Sequence, residues 1–332
     1  MLLALGQFVA GVALLLVGGD AVVRGASRLA ALARLSPLFI GLTVVSLGTS
    51  APEMAVSVST AMKGQADITI GNVVGSNLFN MLMIVGVSAS WVALPVLRQI
   101  TSFDVPVMVL ATILMWLMGL DGALSRMDGV ILLICLIAYF AISYRLGKER
   151  KSAVIDSSVS EAVNETSSSD SLRGILGGLL WNLVILAFGV AALVWGCDWF
   201  IAACVYIART FGLSEIVIGL TIVSAGTSLP ELVTSVAATI KGERGIAIGN
   251  AVGSTILNVF AVLGVTAFVA PDGVSVDATI LRWDAPIMIL VAAISWVVFR
   301  TGRTIQRREG FLLIGIYLVY VGYLLYRNGA LG

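Results

Sequence analysis

The sequence predicts an all-α integral membrane protein with ten transmembrane helices in two inverted five-helix repeats. The first observation is composition: the 332 residues are 59% hydrophobic and only 12% charged, whereas a soluble domain has about 25% charged residues. The second is a set of ten apolar segments of about the length that a bilayer-spanning helix needs. The third is a polar motif that occurs once in each half of the chain.

The ten predicted spans follow one another with short connections. The chain opens on an apolar stretch with no basic segment before it, so we interpret this stretch as a transmembrane helix and not as a cleaved signal peptide. We expect the first helix of each half to run beyond its apolar stretch and to tilt. We place the spans at residues 2–23, 37–61, 68–94, 104–119, 128–146, 174–208, 214–240, 246–270, 284–300 and 310–327.

The second half of the chain repeats the first. GLTVVSLGTSAPEMAVSV begins at residue 41 and GLTIVSAGTSLPELVTSV begins at residue 219, which is 178 residues later. The first repeat covers residues 1–146 and the second covers 174–332; residues 147–173 between them are charged, then serine-rich, which is typical of a flexible linker. The pairs related by 178 include Asp20 and Asp198, Ser46 and Ser224, Thr49 and Thr227, Ser50 and Ser228, Pro52 and Pro230, Glu53 and Glu231, Asn72 and Asn250, Ser76 and Ser254, and Asn80 and Asn258.

The distribution of basic residues predicts the orientation of the chain. Of the 20 lysines and arginines, all but five fall in connections on one side of the predicted spans. That side is expected to be cytoplasmic, with the 147–173 linker, so both termini face outside. Because five helices are an odd number, the second repeat enters the membrane from the opposite side, and the repeats meet near the midplane. The five basic residues on the other side are Lys63, Arg126, Arg209, Arg282 and Arg327.

Two glutamates, Glu53 and Glu231, lie within apolar spans. An ionisable group at membrane depth is costly, so its presence indicates a functional site. Pro52 and Pro230 cannot donate to the carbonyls of Gly48 and Gly226, so we expect each helix to kink and free a carbonyl oxygen. One polar stripe, at i, i+4, i+7 and i+11, consists of Ser46, Ser50, Glu53 and Ser57, with Thr49 beside it; its copy consists of Ser224, Ser228, Glu231 and Ser235, with Thr227 beside it.

A second polar face follows in the next helix of each repeat. Asn72, Ser76 and Asn80 fall at i, i+4 and i+8, and Asn250, Ser254 and Asn258 repeat them. The glycine pairs Gly71–Gly75 and Gly249–Gly253 have a spacing that lets helices approach closely. The two stripes together offer hydroxyl, carboxamide and carboxylate oxygens without nitrogen or sulfur, a set of ligands that suits sodium, calcium, magnesium or potassium.

Other polar residues have simpler interpretations. Asp20 and Asp198 lie near predicted helix ends, and Asp20 is four residues before Arg24, so we expect an interfacial or salt-bridge role for both. Asp104 and Asp284 each precede a proline near a helix start, so we interpret both as N-caps. The chain has no histidine, and its three cysteines lie in apolar segments without a CxxC pair, so neither a transition-metal site nor a disulfide framework is indicated.

The motifs resemble the two α-repeats of the cation/Ca2+ exchanger superfamily, and most closely its prokaryotic sodium/calcium exchanger branch. The resemblance rests on GTSAPE and GTSLPE, each followed by GNxxGS and an asparagine. It implies Ca2+ antiport against Na+ at a midplane site by alternating access. The resemblance implies Glu53 and Glu231 as the calcium carboxylates, with the remaining ion ligands supplied by Thr49, Ser50, Thr227, Ser228, Ser76, Ser254, Asn80 and Asn258; the stripe adds Ser46 and Ser224.

The sequence leaves other functions open. A Ca2+/H+ antiporter using the same glutamates is the main alternative, although GNxxGS lacks the acidic residue usual in that group. Potassium-dependent exchangers, and some prokaryotic relatives, carry an aspartate where this chain has Asn258. Asparagine in both repeats, at Asn80 and Asn258, therefore argues against potassium transport. We expect no enzyme activity, because no HExxH, aspartate pair or Ser–Lys dyad occurs, and a channel is less favoured than an enclosed exchange site.

The expected setting follows from these points. The protein is predicted to lie in the plasma (inner) membrane, with the lipid bilayer around it and Ca2+ and Na+ as transported substrates. We expect no cofactor, no nucleic acid and no obligatory protein partner. A site with two carboxylates is unfavourable when empty, so ions are expected to swap rather than leave it vacant.

Overall fold

The computed structural model describes residues 2–33, 35–63, 66–149, 172–211 and 224–327. Within these ranges the chain is helical apart from turns and four two-residue strands. Eight helices there are long and apolar enough to cross a membrane, or nine when one bent pair counts as a single span. The predicted seventh span, residues 214–240, begins outside the described residues, so the count of ten stays a prediction.

The helices follow the predicted spans, with differences at the ends. In chain order they are α1, Leu2–Leu32; α2, Pro37–Thr49; α3, Ala51–Met62; α4, residues 66–91; α5, Ile100–Asp121; α6, Arg126–Glu149; α7, Leu172–Thr210; α8, Leu229–Ile240; α9, Arg244–Val269; α10, Ile280–Arg300; and α11, Arg307–Arg327. As expected, α1 and α7 run beyond their apolar cores, to 31 and 39 residues. Helix α6 continues to Glu149 and α7 begins at Leu172, so the helices extend two or three residues into the predicted linker. Residues 150–171 lie outside the described part, so the linker stays a prediction.

The two long helices α1 and α7 pack against each other in antiparallel fashion. Gly18 of α1 lies so close to α7 that a Cβ atom there would be 2.9 Å from the carbonyl oxygen of Gly189. Such an approach requires glycine and brings the two backbones into contact over a long distance. Buried Val22 and Leu193 fill the seam between them. Within α1, Asp20 forms a salt bridge with Arg24, at 2.6 Å.

The contacts between the halves recur with the halves exchanged. Strand β1, Leu94–Pro95, pairs with β4, Thr304–Ile305, while β2, Ala123–Leu124, pairs with β3, Val274–Ser275. In the same way, the indole of Trp116 donates to the carbonyl of Leu281 at 3.0 Å, and that of Trp296 donates to the carbonyl of Thr101 at 2.9 Å. Each half therefore holds the other through equivalent bonds.

Within the described residues, five helices contain a π-helical turn, in which one residue more than usual is inserted per turn. These turns are Gly41–Val45 in α2, Phe79–Ile84 in α4, Ile100–Asp104 in α5, Asn258–Leu263 in α9 and Ile280–Asp284 in α10. Those in α4 and α9 contain Asn80 and Asn258 of the predicted site. Turns of this kind occur frequently at functional sites, because they re-aim side chains.

The interpretation of Asp104 and Asp284 as N-caps is wrong. Both lie inside continuous helices, at the junction of a π-helical turn and an α-helix, and neither side chain caps the following turn. Their carboxylates bind side chains from other helices instead. The hydroxyl of Tyr139 donates to Asp104 at 3.2 Å, and Arg327 forms a salt bridge with Asp284 at 2.9 Å. The sequence pattern missed this because the helix continues through the residue before proline.

Candidate ion-binding site

The GTSAPE motif forms a break between two helices. Helix α2 ends at Thr49, α3 begins at Ala51, and the two are bent by 45° at this point. Pro52 occupies the first turn of α3, where its missing N–H costs nothing, so the predicted kink is confirmed. Glu53 follows in the same first turn, where the positive end of the helix dipole favours a negative charge.

The GTSLPE motif folds in the same way. Ser228 precedes α8 with φ −92° and ψ 9°, close to the φ −81° and ψ 9° of Ser50 before α3. Pro230 and Glu231 occupy the first turn of α8. The expectation of an unpaired carbonyl at this break is wrong for Gly226, because the Cys197 thiol donates to its oxygen at 2.7 Å.

The two glutamates are held by hydroxyl groups from opposite repeats. Ser228 donates to Glu53 Oε1 at 2.8 Å, and Ser50 donates to Glu231 Oε1 at 2.9 Å. Ser76 adds a longer bond to Glu53, at 3.4 Å. The side chains of Glu53 and Glu231 are only 1% and 0% exposed. The structure thus brings together two carboxylates that are 178 positions apart in the sequence.

Each carboxylate has one oxygen without a hydrogen bond among the described residues. The Oε2 atoms of Glu53 and Glu231 are buried, and within the described ranges they accept no hydrogen bond. Neither glutamate forms a salt bridge with a described lysine or arginine; the ion pairs in this part of the chain involve Asp20 and Asp284. A buried, uncompensated carboxylate pair is costly unless a cation occupies it.

Two asparagines outside the predicted ligand set tie the breaks to the neighbouring helices. Asn250 accepts from Thr49 at 3.0 Å and donates to Ser235 at 3.0 Å and to the Glu231 backbone carbonyl at 3.2 Å. Asn72 accepts from Thr227 at 3.5 Å and donates to Ser57 and to the Glu53 carbonyl, at 3.2 and 3.5 Å. Both asparagines lie on the second polar face that the sequence predicts, and this pattern could have identified them as site residues.

The remaining predicted residues that the structure describes carry buried side-chain oxygens. Ser254, Asn80 and Asn258 are buried. Several of their polar atoms form no hydrogen bond among the described residues: Ser254 Oγ, both amide atoms of Asn80, and Oδ1 of Asn258. Ser46 differs, because its hydroxyl is already engaged with the Gly41 carbonyl at 2.6 Å. The side chain of Ser224 lies outside the described part of the structure.

Glycine explains how α9 reaches the break in α2. A Cβ at Gly253 would lie 2.7 Å from the carbonyl oxygen of Leu42, and one at Gly249 would lie 2.9 Å from that of Leu38. The predicted close helix approach is therefore confirmed for the second repeat. In the first repeat Gly71 has ordinary space, with its nearest neighbour, Ile280 Cδ1, at 3.7 Å.

A cavity of about 480 Å³ reaches the site from one side. It lies between the α2–α3 break and the π-helical turn of α9, and Ser50, the donor to Glu231, lines it. Most other lining residues are apolar, including Leu47, Met54 and Val262. The cavity follows α3 from the break as far as Ser59, near the end of α3 that precedes Lys63.

Comparison with known proteins identifies the group to which this architecture belongs. The family model described as sodium/calcium exchanger protein matches residues 3–145 and 181–326. The sodium/calcium exchanger MaX1 of Methanosarcina acetivorans is 31% identical over 343 residues, covering 95% of this chain and 97% of the relative. The inner membrane protein YrbG of Escherichia coli is 32% identical, with 98% and 97% covered.

A solved structure gives the same result for the fold. The sodium-calcium exchanger NCX_Mj, soaked without Na+ and Ca2+, superimposes with a TM-score of 0.80 at 28% sequence identity. The match covers 97% of this chain and 99% of that one. The helical membrane-transporter architecture is therefore shared along nearly the whole length.

Proposed function

The chain belongs to the sodium/calcium exchanger protein family, and from that premise we propose that it is an antiporter that exchanges Ca2+ for Na+ across the membrane. The transported ions bind at Glu53 and Glu231, near the midplane. Hydroxyl, amide and carbonyl oxygens of the surrounding residues complete the coordination. These ligands are Thr49, Ser50, Thr227, Ser228, Ser76, Ser254, Asn80 and Asn258, with Ser46 and Ser224 at the edge of the site.

One observation carries this proposal: each carboxylate of the buried pair accepts a hydrogen bond from a serine hydroxyl of the opposite repeat. Ser50 of the first repeat binds Glu231, and Ser228 of the second binds Glu53. The arrangement offers oxygen ligands only, and hard cations prefer oxygen. Flexible oxygen cages of this kind suit Ca2+, which tolerates variable coordination, better than Mg2+, which requires a near-ideal octahedron.

Charge explains why the ions would be exchanged. One Ca2+ neutralises two carboxylates, and so do two monovalent cations. With no cation bound, two negative charges would stay in a low-dielectric interior, which is very unfavourable. The carrier would therefore change sides with ions bound, so Ca2+ leaves on one side only when other cations replace it.

The two breaks offer a route for alternating access. Each break carries one glutamate and one serine bound to the opposite repeat, and the first break joins α2 to α3 at a bend of 45°. We take the repeats to be inverted, five helices each, so that the breaks approach the site from opposite membrane sides. The exchanged strand pairs β1–β4 and β2–β3 support this arrangement.

The proposed membrane orientation places both termini outside and residues 147–173 in the cytoplasm, in the plasma (inner) membrane. The grouping of basic residues supports it. Arg24 and Lys241, assigned to the cytoplasmic side, both pair with Asp20. In this orientation the end of the cavity at Ser59 lies nearer the outside, because Lys63 lies on that side.

The test is uptake of radioactive Ca2+ into proteoliposomes that contain the purified protein. Uptake should follow an outward Na+ gradient and should be indifferent to an imposed pH gradient. The same vesicles without protein give the leak rate. Uptake that follows the pH gradient and ignores Na+ would replace this proposal with the Ca2+/H+ antiporter, which uses the same glutamates.

A further inference from the structure

Asn77 is a buried carboxamide that lies beside the predicted stripe and has no role in it. It follows Ser76 directly and precedes the π-helical turn that contains Asn80. Its oxygen accepts a hydrogen bond from Nδ2 of Asn258 at 3.1 Å. Its own Nδ2 points to the sulfur of Met288, in α10, at 3.6 Å. A chain of contacts thus runs from Met288 through Asn77 to Asn258.

The hydrogen bonds in this series of contacts have only one favourable donor-to-acceptor direction. A thioether sulfur accepts hydrogen bonds and cannot donate them, so the amide group of Asn77 must face Met288. Its oxygen then faces Asn258, which has to present its amide group in return. Turning both asparagines over would set the Asn77 oxygen against the sulfur, two acceptors in contact. Met288 therefore defines the orientation of both carboxamides.

The result at Asn258 is an oxygen that is left for another partner. With Nδ2 bound to Asn77, the Oδ1 atom of Asn258 is buried and accepts no hydrogen bond from any described residue. A buried carbonyl oxygen without a donor costs free energy, which a cation offsets when it binds there. A reversed carboxamide would instead present N–H groups, which repel a cation.

At the matching described position of the second repeat, the equivalent hydrogen bond does not form. The residue that matches Asn77 is Thr255, whose hydroxyl donates to the carbonyl of Ala251 at 2.9 Å in its own helix. Asn80, which matches Asn258, has both amide atoms buried without a hydrogen bond among the described residues. The two related asparagines therefore differ: Asn258 is held in one orientation, whereas Asn80 is held by no such bond.

We propose that Asn77 is a positioning residue that holds the Asn258 carboxamide with its oxygen toward the transported cation, and that Met288 sets its direction. The inference rests on the proposed function, because it assigns Asn258 to the ion site. It predicts an asymmetric site, in which the Asn258 side needs no reorientation when a cation arrives and the Asn80 side does. Preorganised ligands bind more tightly than ligands that must first be ordered.

The test measures cation binding by the purified protein, as the rise in its thermal unfolding temperature with increasing Ca2+ or Na+. The variant Asn77→Leu keeps the size of the side chain and removes the acceptor. We expect a roughly fivefold higher half-saturating concentration for at least one of the two ions, the size of effect that one hydrogen bond gives. Met288→Leu, which conserves volume, should shift the same ion in the same direction by less.

A double-mutant cycle separates positioning from mere structural damage. In an Asn258→Ala background no oxygen remains to be positioned, so Asn77→Leu should have no further effect on half-saturation. Thr255→Val, at the matching position of the other repeat, is the control and should leave binding unchanged. An equal shift with and without Asn258, or no shift for either ion in both variants, would overturn the proposal.

Binding and transport results distinguish this inference from the proposed function. If the wild-type protein binds cations but transport follows protons, sodium coupling fails while Asn77 is still tested by the cycle. If neither ion stabilises the wild-type protein, the ion site itself is wrong and the inference is refuted with it.

Discussion

At the scale of single residues, the site depends on two carboxylates whose surroundings offer only oxygen. Glu53 and Glu231 each accept one serine hydroxyl from the opposite repeat, and each keeps a second oxygen without a hydrogen bond among the described residues. Burial of two carboxylates without a cation is costly, which supports the proposal that they bind the transported ions. Substitutions here should act on transport far more than on folding.

We expect Glu53→Gln and Glu231→Gln each to reduce Ca2+ exchange in proteoliposomes to the leak rate. Glutamine keeps the shape of the side chain and removes one of the two negative charges, so Ca2+ can no longer be neutralised. Asp272→Asn, which removes an exposed carboxylate in a turn, is the matched control and should exchange normally. Near wild-type exchange by either glutamine variant would show that its glutamate is not a principal ligand.

Exchange should not require potassium. The site has asparagine at both Asn80 and Asn258, so it carries two negative charges and lacks the third charge that an added monovalent cation would need. Na+-driven Ca2+ uptake is measured with potassium replaced by choline on both sides of the vesicle membrane. A rate that falls to the leak level without potassium would contradict this prediction, and Asn258→Asp would then show whether an added charge changes the dependence.

At the scale of helices, function depends on breaks and close contacts more than on helix length. Pro52 and Pro230 start new helices inside the apolar layer, and the π-helical turns in α4 and α9 lie beside these breaks. Irregular backbone at membrane depth is tolerated because it is buried in protein. Glycines bring α9 against α2 so that the asparagine-bearing helix can reach the opposite break.

Gly253→Ala should destabilise the protein. A methyl group there would lie 2.7 Å from the Leu42 carbonyl, so α9 must move away from α2. Overpacking of this kind costs about 1–3 kcal/mol. The control is Gly315→Ala in α11, where a Cβ meets no atom within 4 Å. Thermal unfolding followed by size-exclusion chromatography should show a lower transition for Gly253→Ala alone; equal transitions for the two variants would contradict the close contact.

At the scale of the whole molecule, the two halves bind each other through bonds that recur when the halves are exchanged. The strand pairs, the Trp116 and Trp296 bonds and the crossed serine–glutamate bonds all follow this rule. Because serines of each half bond to the glutamate of the other, neither half alone contains the proposed ion-binding arrangement. The proposed alternating access would expose this one centre to either side by moving the breaks relative to each other.

The orientation of the whole chain can be measured directly. Single cysteines are introduced as Ser168→Cys and Gly332→Cys, in a background without Cys135, Cys197 and Cys204, and intact cells are treated with an impermeant thiol reagent. We expect labelling at position 332 and protection at position 168, because the basic residues place the central linker inside. Labelling at 168 or protection at 332 would reverse the topology.

The sequence alone determined the class of the protein, the repeats and the glutamate pair. Hydropathy is a local property, so a run of apolar residues predicts a membrane helix wherever it occurs. A charged residue within such a run is costly, and its exact recurrence 178 positions later made Glu53 and Glu231 prominent without any coordinates. The kink at Pro52 was also predictable from local sequence, because the missing N–H of proline acts within one turn of helix.

Only the tertiary structure decided which side chains meet. Periodicity gives the face on which a residue lies, but the helix opposite that face is set by packing between segments far apart in the chain. The bonds Ser50–Glu231 and Ser228–Glu53, the thiol of Cys197 on Gly226 and the contact of Asn77 with Asn258 all join distant segments in this way. The sequence shows that polar side chains lie along two helix faces in each repeat. The fold determines that the serine of one repeat bonds to the glutamate of the other, and that Asn77 orients Asn258, because both contacts depend on the shape of the assembled core.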